Sequence, residues 1–401
     1  MALDQIIDID KLEKFGFLYE LGIILLAVKI FGHLSQKLGQ PSVLGELLAG
    51  IILGPMVLNW IQMNAFIEEA AEIGVILLMF LAGLETNLKE FQKTAFASTL
   101  VAVSGVAFPF LGGLIAGIWF GYNYATSIFL GTALVATSVS ISVQTLRELG
   151  HLNSKEGNTI LGAAVLDDIL GIITLSIVIG FVGGNGDNNT SLPILIVKII
   201  VFFIVIWLSR KPLPKIFQWA DRMMTTEVIL TIGIIGALGY AFLAEMLGLA
   251  GIVGAYFAGL ILSTSKFQGE LFTKLETVSF SFFVPIFFVS IGLMTQIESV
   301  NASILVQIIV FSVIAILTKL IGGAIGAKLG GFPTTNSLAV GSGMIARGEV
   351  GLIIASIGLN NGLFSSSLFP VIVAVILITT IITPPLLKVF LSKQKKEASP
   401  T

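Results

Sequence analysis

The sequence has no cysteine, only two histidines and few charged residues. Without cysteine, the chain can form no disulfide, no thiol nucleophile and no thiolate metal site. Charged residues make up 11% of the chain, against roughly 25% in soluble domains, and the mean hydropathy is +1.00. So few charges cannot cover the surface of a water-soluble protein of this size, so most of the surface must face lipid. No basic patch of the kind that binds nucleic acid occurs either.

Apolar segments occupy most of the chain. Hydropathy and loop residues predict thirteen spans, most of them about 20 residues long, the length that crosses ~30 Å of hydrocarbon. Their approximate limits are 15–37, 41–59, 67–86, 95–120, 124–146, 157–183, 192–209, 226–247, 250–264, 276–296, 303–328, 335–359 and 367–390.

Lysine and arginine are distributed unevenly between the loops on the two sides of these spans. Nearly all loop cations fall on one side, and only Lys11 and Lys14 fall on the other. Because cytoplasmic loops carry the excess of Lys and Arg, we expect an integral plasma-membrane protein with its N-terminus outside and its C-terminus in the cytoplasm.

The two halves of the chain resemble each other. VLGELLAGIIL from Val43 matches IVGAYFAGLIL from Ile252, and further matches follow at an offset of 209–210 residues. We therefore expect repeat one at about 15–183, a linker helix at about 192–209 and repeat two at about 226–390. Since seven spans precede the second repeat, the two six-helix repeats are inverted, an architecture of secondary transporters.

Ionisable side chains far from the ends of predicted spans are candidates for function, because burying a charge in a bilayer is costly. The aspartates among them correspond in the other repeat to Leu377 and Ile378, so packing alone does not require carboxylates. Two adjacent carboxylates in low dielectric need a proton, a metal cation or an ammonium. The alternative is an ion pair that only fixes packing. The candidates are Asp167, Asp168, Lys319, Arg347 and Glu349.

Spans 5 and 12 are predicted to be broken helices. Span 5 reads ALVATSVSISV, and span 12 reads GSGMIARGEVGLI at the matching place. The hydroxyls of Thr137 and Ser138 can coordinate a hard cation, or they can bond back to helical carbonyls. Arg347 can face the C-terminal dipoles of the half-helices and Glu349 the N-terminal ones, so we expect structural roles for both.

Several of these segments resemble the monovalent cation:proton antiporter-2 family, and within it the sodium/proton antiporters of the NapA and GerN type. The matching segments are QPSVLGELLAGIILGP from Gln40, LLMFLAGLETNLKEF from Leu77, ATSVS, LDDIL around the aspartates, Lys319 and ARGEVGL from Ala346. The resemblance implies an NhaA-like antiporter fold, a homodimer, and a six-helix core domain that moves against a dimerisation domain. It also implies that Asp168 is the main ion-binding carboxylate and Asp167 the partner of Lys319.

The expected function is electrogenic exchange of Na⁺ or Li⁺ for protons, not enzymatic catalysis and without a cofactor. The site for the monovalent cation is Asp167 and Asp168. A potassium/proton antiporter and a sodium-coupled symporter of organic anions remain alternatives. An intramembrane aspartyl protease is disfavoured because its two aspartates come from separate helices. The chain stops at Thr401, soon after the last span, so we expect no C-terminal regulatory domain, no bound nucleotide and no partner besides lipid and a second copy.

Overall fold

A computed structural model describes residues 9–182, 192–294, 302–348, 351, 354–355, 358–359, 363–364 and 368–397. Within those ranges the regular elements are helices, and no strand occurs. The helices of ordinary length are α1 Ile9–Lys37, α2 Ser42–Leu53, α3 Ala65–Glu85, α4 Leu88–Trp119, α5 Tyr124–Ala133, α6 Val139–Glu148, α7 Lys155–Val182, α8 Leu192–Ser209, α9 Pro212–Ala220, α10 Val228–Met246, α11 Gly251–Leu262, α12 Gln268–Val278, α13 Val284–Leu293, α14 Ala302–Leu329, α15 Thr334–Gly343 and α16 Phe369–Glu397.

Within the described residues, seven helices are long and apolar enough to cross a membrane, if Gln268–Leu293, which comprises α12, a π turn and α13, is counted as one helix. The number is eight if the bent pair α8 and α9 also counts as one span. Among the remaining apolar helices, α2 and α11 have 12 residues each, and α5 and α15 have 10 each. Helix length therefore does not by itself establish the predicted thirteen spans. A helix that breaks in mid-span leaves two halves, each too short to be recognised as a span.

Several helix bounds differ from the hydropathy prediction, and two of the differences have a clear local cause. Helix α4 begins at Leu88 instead of near 95, because the Asn87 side chain accepts hydrogen bonds from the backbone N–H groups of the first turn. Helix α9 was not predicted at all. It is short and amphipathic, with Leu213, Phe217 and Ala220 buried along one face, a pattern that a long hydropathy window does not detect.

The chain forms two compact units, and the first contains residues 1–75 and 278–296. In this unit α2 packs against α1 and α13. The contact with α13 is close at Gly50, where an added Cβ would lie 2.1 Å from the carbonyl oxygen of Val289. Just before α13, the helix widens into a π turn over Ser279–Phe283. Pro285 follows directly and has no N–H to donate, which favours such an irregular turn.

The second unit contains residues 76–277 and 297–401. Its long helices α4 and α14 pack along each other, and the Ser104 hydroxyl of α4 donates a hydrogen bond to the Gly322 carbonyl at 2.7 Å. Helix α7 packs on α4, and α15 and α16 pack on α14. At two places helices pack closely through a pair of glycines, and the second pair lies 210 residues after the first. A Cβ added at Gly113 would lie 2.7 Å from Cα of Gly131, and one added at Gly323 would lie 2.8 Å from Cα of Gly341.

Helix bounds also recur at a constant shift. A shift of 209 residues places α2 onto α11, and a shift of 210 places α5 onto α15. The last residue of α4 falls onto that of α14 under the same shift of 210. Beyond these two ends, Gly121 and Gly331 both adopt left-handed φ angles, of +79° and +88°. Glycine suits this position because a Cβ disfavours the left-handed region that ends a helix.

A glycine-to-alanine pair tests whether close packing is the constraint in the second unit. A Cβ at Gly83 would lie 2.2 Å from the carbonyl oxygen of Tyr256, whereas one at Gly236 would meet nothing within 4 Å. Both glycines are inside helices, so alanine should favour helix equally at both. We expect Gly83→Ala to lower the melting temperature of the purified protein, with a cost of about 1–3 kcal/mol from overpacking. Gly236→Ala should not lower it; equal melting temperatures would contradict the packing argument.

Candidate functional site

Two interrupted helices meet in the second unit. Helix α5 ends at Ala133 and α6 begins at Val139, so residues 134–138 are not helical. Helix α15 ends at Gly343, and residues 345–348 that follow are also irregular. Thr and Ser in the first segment and Gly in the second are residues that favour helix ends over helix interiors. The interruptions lie where spans 5 and 12 were predicted to break.

The two irregular segments exchange backbone hydrogen bonds. In a continuous helix the Leu134 carbonyl would accept from the N–H of Ser138. Instead, Ser138 donates its N–H to the Ala346 carbonyl at 2.7 Å. The Leu134 carbonyl accepts from Nη2 of Arg347 at 2.8 Å. Each broken end therefore finds a partner in the other segment, as an apolar environment requires.

Arg347 is fully buried and donates hydrogen bonds to backbone carbonyls. Besides Leu134, its guanidinium donates to the Ile345 carbonyl at 3.1 Å and to the Ala315 carbonyl of α14 at 3.2 Å. Its own carbonyl accepts from the Thr380 hydroxyl of α16. A cation at the carbonyl end of α5 stabilises the helix dipole there, and a structural role for Arg347 stays a prediction. Glu349, its predicted counterpart, lies outside the described residues.

An ion pair lies beside the crossing, the place where the two irregular segments meet. Asp167 projects from α7 and Lys319 from α14, and both side chains are fully buried. The Lys319 ammonium is 3.1 Å from each carboxylate oxygen of Asp167. Arg347 is close enough to Asp167 for their charges to interact. The carboxylate thus lies between two cations, only one of which it contacts directly.

The hydroxyls of the first broken helix divide between two environments. The Thr137 hydroxyl interacts with the Asp167 carboxylate, and it also lies 3.5 Å from the Met344 carbonyl. The Ser138 hydroxyl instead lies 3.2 Å from that of Ser140. Of the two predicted hydroxyl ligands, Thr137 is therefore the one that the fold brings to the acidic pair.

Asp168 follows Asp167 on α7, about 100° further around the helix. Its side chain is only 3% exposed, and its charge interacts with that of Lys319. Asp167, Asp168, Lys319 and Arg347 together carry two negative and two positive charges when ionised. In a low-dielectric interior such a balance lowers the cost of burial, so adding a cation favours the loss of a positive charge.

The buried threonines of α16 were not singled out from the sequence. Thr380 bonds the Arg347 carbonyl, while Thr379 and Thr383 donate to carbonyls within their own helix. All three are completely buried. The run ITTIIT in a predicted span was the available signal, since hydroxyls among apolar residues mark a place where backbone groups need partners.

The described residues contain no group of three or more His, Cys, Asp or Glu side chains that could hold a metal ion. The ligands that the site offers are carboxylate and hydroxyl oxygens, which suit a hard cation. Two carboxylates already balanced by two cations give a modest negative field. This arrangement suits a monovalent ion or a proton better than a resident divalent metal.

Comparisons with known proteins identify the family. The family model for the transmembrane sodium/hydrogen exchanger matches residues 22–393. The chain belongs to the sodium/hydrogen exchanger family. It is 43% identical over 375 residues to the Na(+)/H(+)-K(+) antiporter GerN of Bacillus cereus, a match that covers 94% of this chain and 96% of that protein. It is 40% identical over 378 residues to the Na(+)/H(+) antiporter of Enterococcus hirae, covering 94% and 98%.

A solved structure has a similar fold. The sodium proton antiporter MjNhaP1 of Methanocaldococcus jannaschii aligns with a TM-score of 0.63 at 17% identity, covering 94% of this chain and 96% of that one. This likeness confirms the prediction of an all-α polytopic membrane fold. The relatives named above confirm the predicted family resemblance, and because they are transporters they also confirm that the chain is not an enzyme.

Replacing Lys319 tests the ion pair. Lys319→Ala leaves the Asp167 carboxylate buried without its ammonium, a change that typically costs 3–5 kcal/mol, so the melting temperature should fall markedly. Lys328→Ala on the exposed side of the same helix should change it little. The double variant Lys319→Ala/Asp167→Asn should recover much of the loss, since it also removes the uncompensated charge. If Lys319→Ala and Lys328→Ala melt alike, the ion pair does not stabilise the protein.

Proposed function

We propose that the protein is a secondary active transporter that exchanges Na⁺, and also Li⁺, for protons by alternating access. The observation that carries this proposal is the buried Asp167–Lys319 pair, next to Asp168 and at the crossing of two broken helices. Membership of the sodium/hydrogen exchanger family supports it. In a member of this family, we interpret the buried charged side chains as the transport site.

Exchange follows from competition for the oxygens of Asp168. A carboxylate is the only common side chain that binds either a proton or a hard cation with the same atoms. A buried carboxylate strongly disfavours the bare ionised state, so a departing cation must be replaced by a proton. Thr137 lies at the neighbouring carboxylate and supplies a further oxygen. When access alternates between the two sides, this replacement makes the fluxes of cation and proton opposite and obligatory.

Lys319 gives the cycle a second proton. With Asp167, Asp168, Lys319 and Arg347 all ionised the site is neutral, so cation binding adds a charge that release of the Lys319 proton removes. In the proton-loaded state, Asp168 and Lys319 both carry protons, and Lys319 pairs with Asp167. Two protons then move against one cation, and exchange is electrogenic. On this account the Lys319→Ala protein, if it still transports, exchanges electroneutrally and loses its response to membrane potential.

The proposed architecture is thirteen spans arranged as two inverted repeats, at about 15–183 and 226–390, with a linker at about 192–209. Matching contacts support it. Arg347 donates to Leu134, the residue directly after α5, and Thr137 approaches Met344, the equivalent residue after α15. A shift of 210 residues exchanges the members of these two contacts. A two-fold relation between the repeats produces such a swap, whereas chance similarity of apolar helices does not.

We also propose an orientation in the membrane and a homodimeric assembly. The distribution of loop cations supports an N-terminus outside and a C-terminus in the cytoplasm, and the family resemblance supports a homodimer in the plasma membrane. The cysteine-free sequence allows single introduced cysteines to report the side of each loop with a membrane-impermeant label. Light scattering of the detergent-purified protein reports its assembly.

Potassium is the second candidate cation. The name of the Bacillus cereus relative, a Na(+)/H(+)-K(+) antiporter, specifically favours considering it. The oxygens of Asp168 and Thr137 suit either ion, so the distinction lies in the size of the coordination shell. Exchange measured with each cation in turn under one pH gradient separates the two candidates.

The direct test of the transport site is Asp168→Asn. Asparagine keeps the size of the side chain but cannot hold a proton or a full negative charge, so exchange in proteoliposomes should be abolished while the protein still purifies as a folded species. Asp221→Asn is the matched control, because Asp221 is a surface residue in the linker region. It should exchange at the wild-type rate. Wild-type exchange in Asp168→Asn would refute the assignment of Asp168.

A further inference from the structure

A cavity of about 850 Å³ lies in the second unit, away from the acidic pair. It opens where α8 ends and α9 begins, and residues of α4, α11 and the segment after α11 complete its lining. Its volume falls within the range of roughly 300–1,000 Å³ that is typical of ligand sites. The cavity is therefore large enough to hold a ligand.

The lining divides into an apolar part and a charged part. Phe203 and Ile206 of α8 and Phe257 of α11 line the apolar part. Arg210 and Lys266 contribute the cationic groups. An occupant that satisfies both parts has an extended hydrocarbon portion and an anionic group at one end.

The cationic groups are available to such an anion. Arg210 forms no ion pair with a carboxylate within the described part of the chain. Lys266 is 3.2 Å from Asp221, but the two side chains are 64% and 46% exposed, so this pair contributes little. Lys211, Lys215 and Arg222 add to the positive charge of the same linker region.

The surroundings place the charged part at the level of lipid headgroups. The chain bends by 48° between α8 and α9, so the short helix leaves the direction of the apolar span. Trp207 near the end of α8 and Trp219 near the end of α9 are 67% and 61% exposed. Exposed tryptophans beside clustered Lys and Arg are typical of the membrane interface, where anionic phospholipids are recognised.

We propose that this cavity binds an anionic phospholipid from the surrounding bilayer. One acyl chain lies along Phe203, Ile206 and Phe257, and the phosphate group lies between Arg210 and Lys266. The linker helix, its amphipathic continuation and α4 all contribute to the lining, so the bound lipid joins elements that are distant in sequence. The occupant is lipid, not a soluble anion, because the larger part of the lining is apolar and aromatic.

Binding of phosphatidylglycerol to the detergent-purified full chain tests the proposal, with phosphatidylcholine of the same acyl chains as the reference. Native mass spectrometry or the shift in melting temperature gives the apparent affinity. The measurement is made at about 0.3 M salt, so that long-range attraction is screened and direct contacts dominate. Wild type should prefer phosphatidylglycerol. In Arg210→Gln/Lys266→Gln the preference should fall by about fivefold for each charge removed.

The matched control is Lys215→Gln/Arg222→Gln, which removes two linker cations outside the cavity lining. It should keep most of the wild-type preference. A loss as large as that of the cavity variant would show general surface attraction and overturn the proposal. So would equal binding of the two lipids by wild type. If glycerol phosphate alone stabilised the protein as strongly as phosphatidylglycerol, the site would bind a soluble anion, and the lipid proposal would also be wrong.

Discussion

Four ionisable side chains are buried together in an apolar interior, and the need to keep their charges balanced governs the rest of the site. Asp167 is held by Lys319 at 3.1 Å, Arg347 lies near enough to interact with it, and Asp168 is adjacent on the same helix. Removing any one of these charges from a low-dielectric environment leaves another uncompensated, which costs several kcal/mol. A site with this property cannot simply gain a cation; it must lose a positive charge when the cation enters. In the exchange that we propose, the coupling of cation and proton then follows from electrostatics before any motion of the protein is considered.

The broken helices explain how backbone groups can line such a site. Interrupting a helix inside a membrane exposes carbonyl and N–H groups that have no water to bind. Here each irregular segment supplies hydrogen-bond partners for the other: Ser138 donates to the Ala346 carbonyl, and Arg347 donates to the Leu134 carbonyl. The irregular backbone is therefore held rigidly, and it places Thr137 next to Asp167. The same arrangement binds Arg347 to backbone carbonyls, so our proposal assigns the change in proton occupancy during transport to Lys319.

The sequence predicted the all-helical fold and the family. It also singled out charges and hydroxyls in apolar spans as candidates, because they are few and each needs a partner. Apart from the pairing of Asp167 with Lys319, which the family resemblance implied, it did not predict which partner each would find. Thr137 and Ser138 are neighbours of similar chemistry, yet only the former reaches Asp167, because the direction of a side chain in irregular backbone depends on tertiary packing. Helix α9 and the early start of α4 were missed because a short amphipathic helix and a capped polar turn have low hydropathy. Thr380 was missed because one hydroxyl in a span usually bonds to its own helix.

The measurement that tests the account most directly is the apparent cation affinity as a function of pH in proteoliposomes. If cation and proton share the oxygens of Asp168, the affinity should fall about tenfold per pH unit for each competing proton, once the pH is below the pKa of the site. At high pH it should become constant. The variant His33→Gln/His151→Gln, which removes both histidines of the chain, should behave like wild type. An affinity that does not change with pH in wild type, or a pH dependence that disappears in the histidine variant, would contradict the shared carboxylate site.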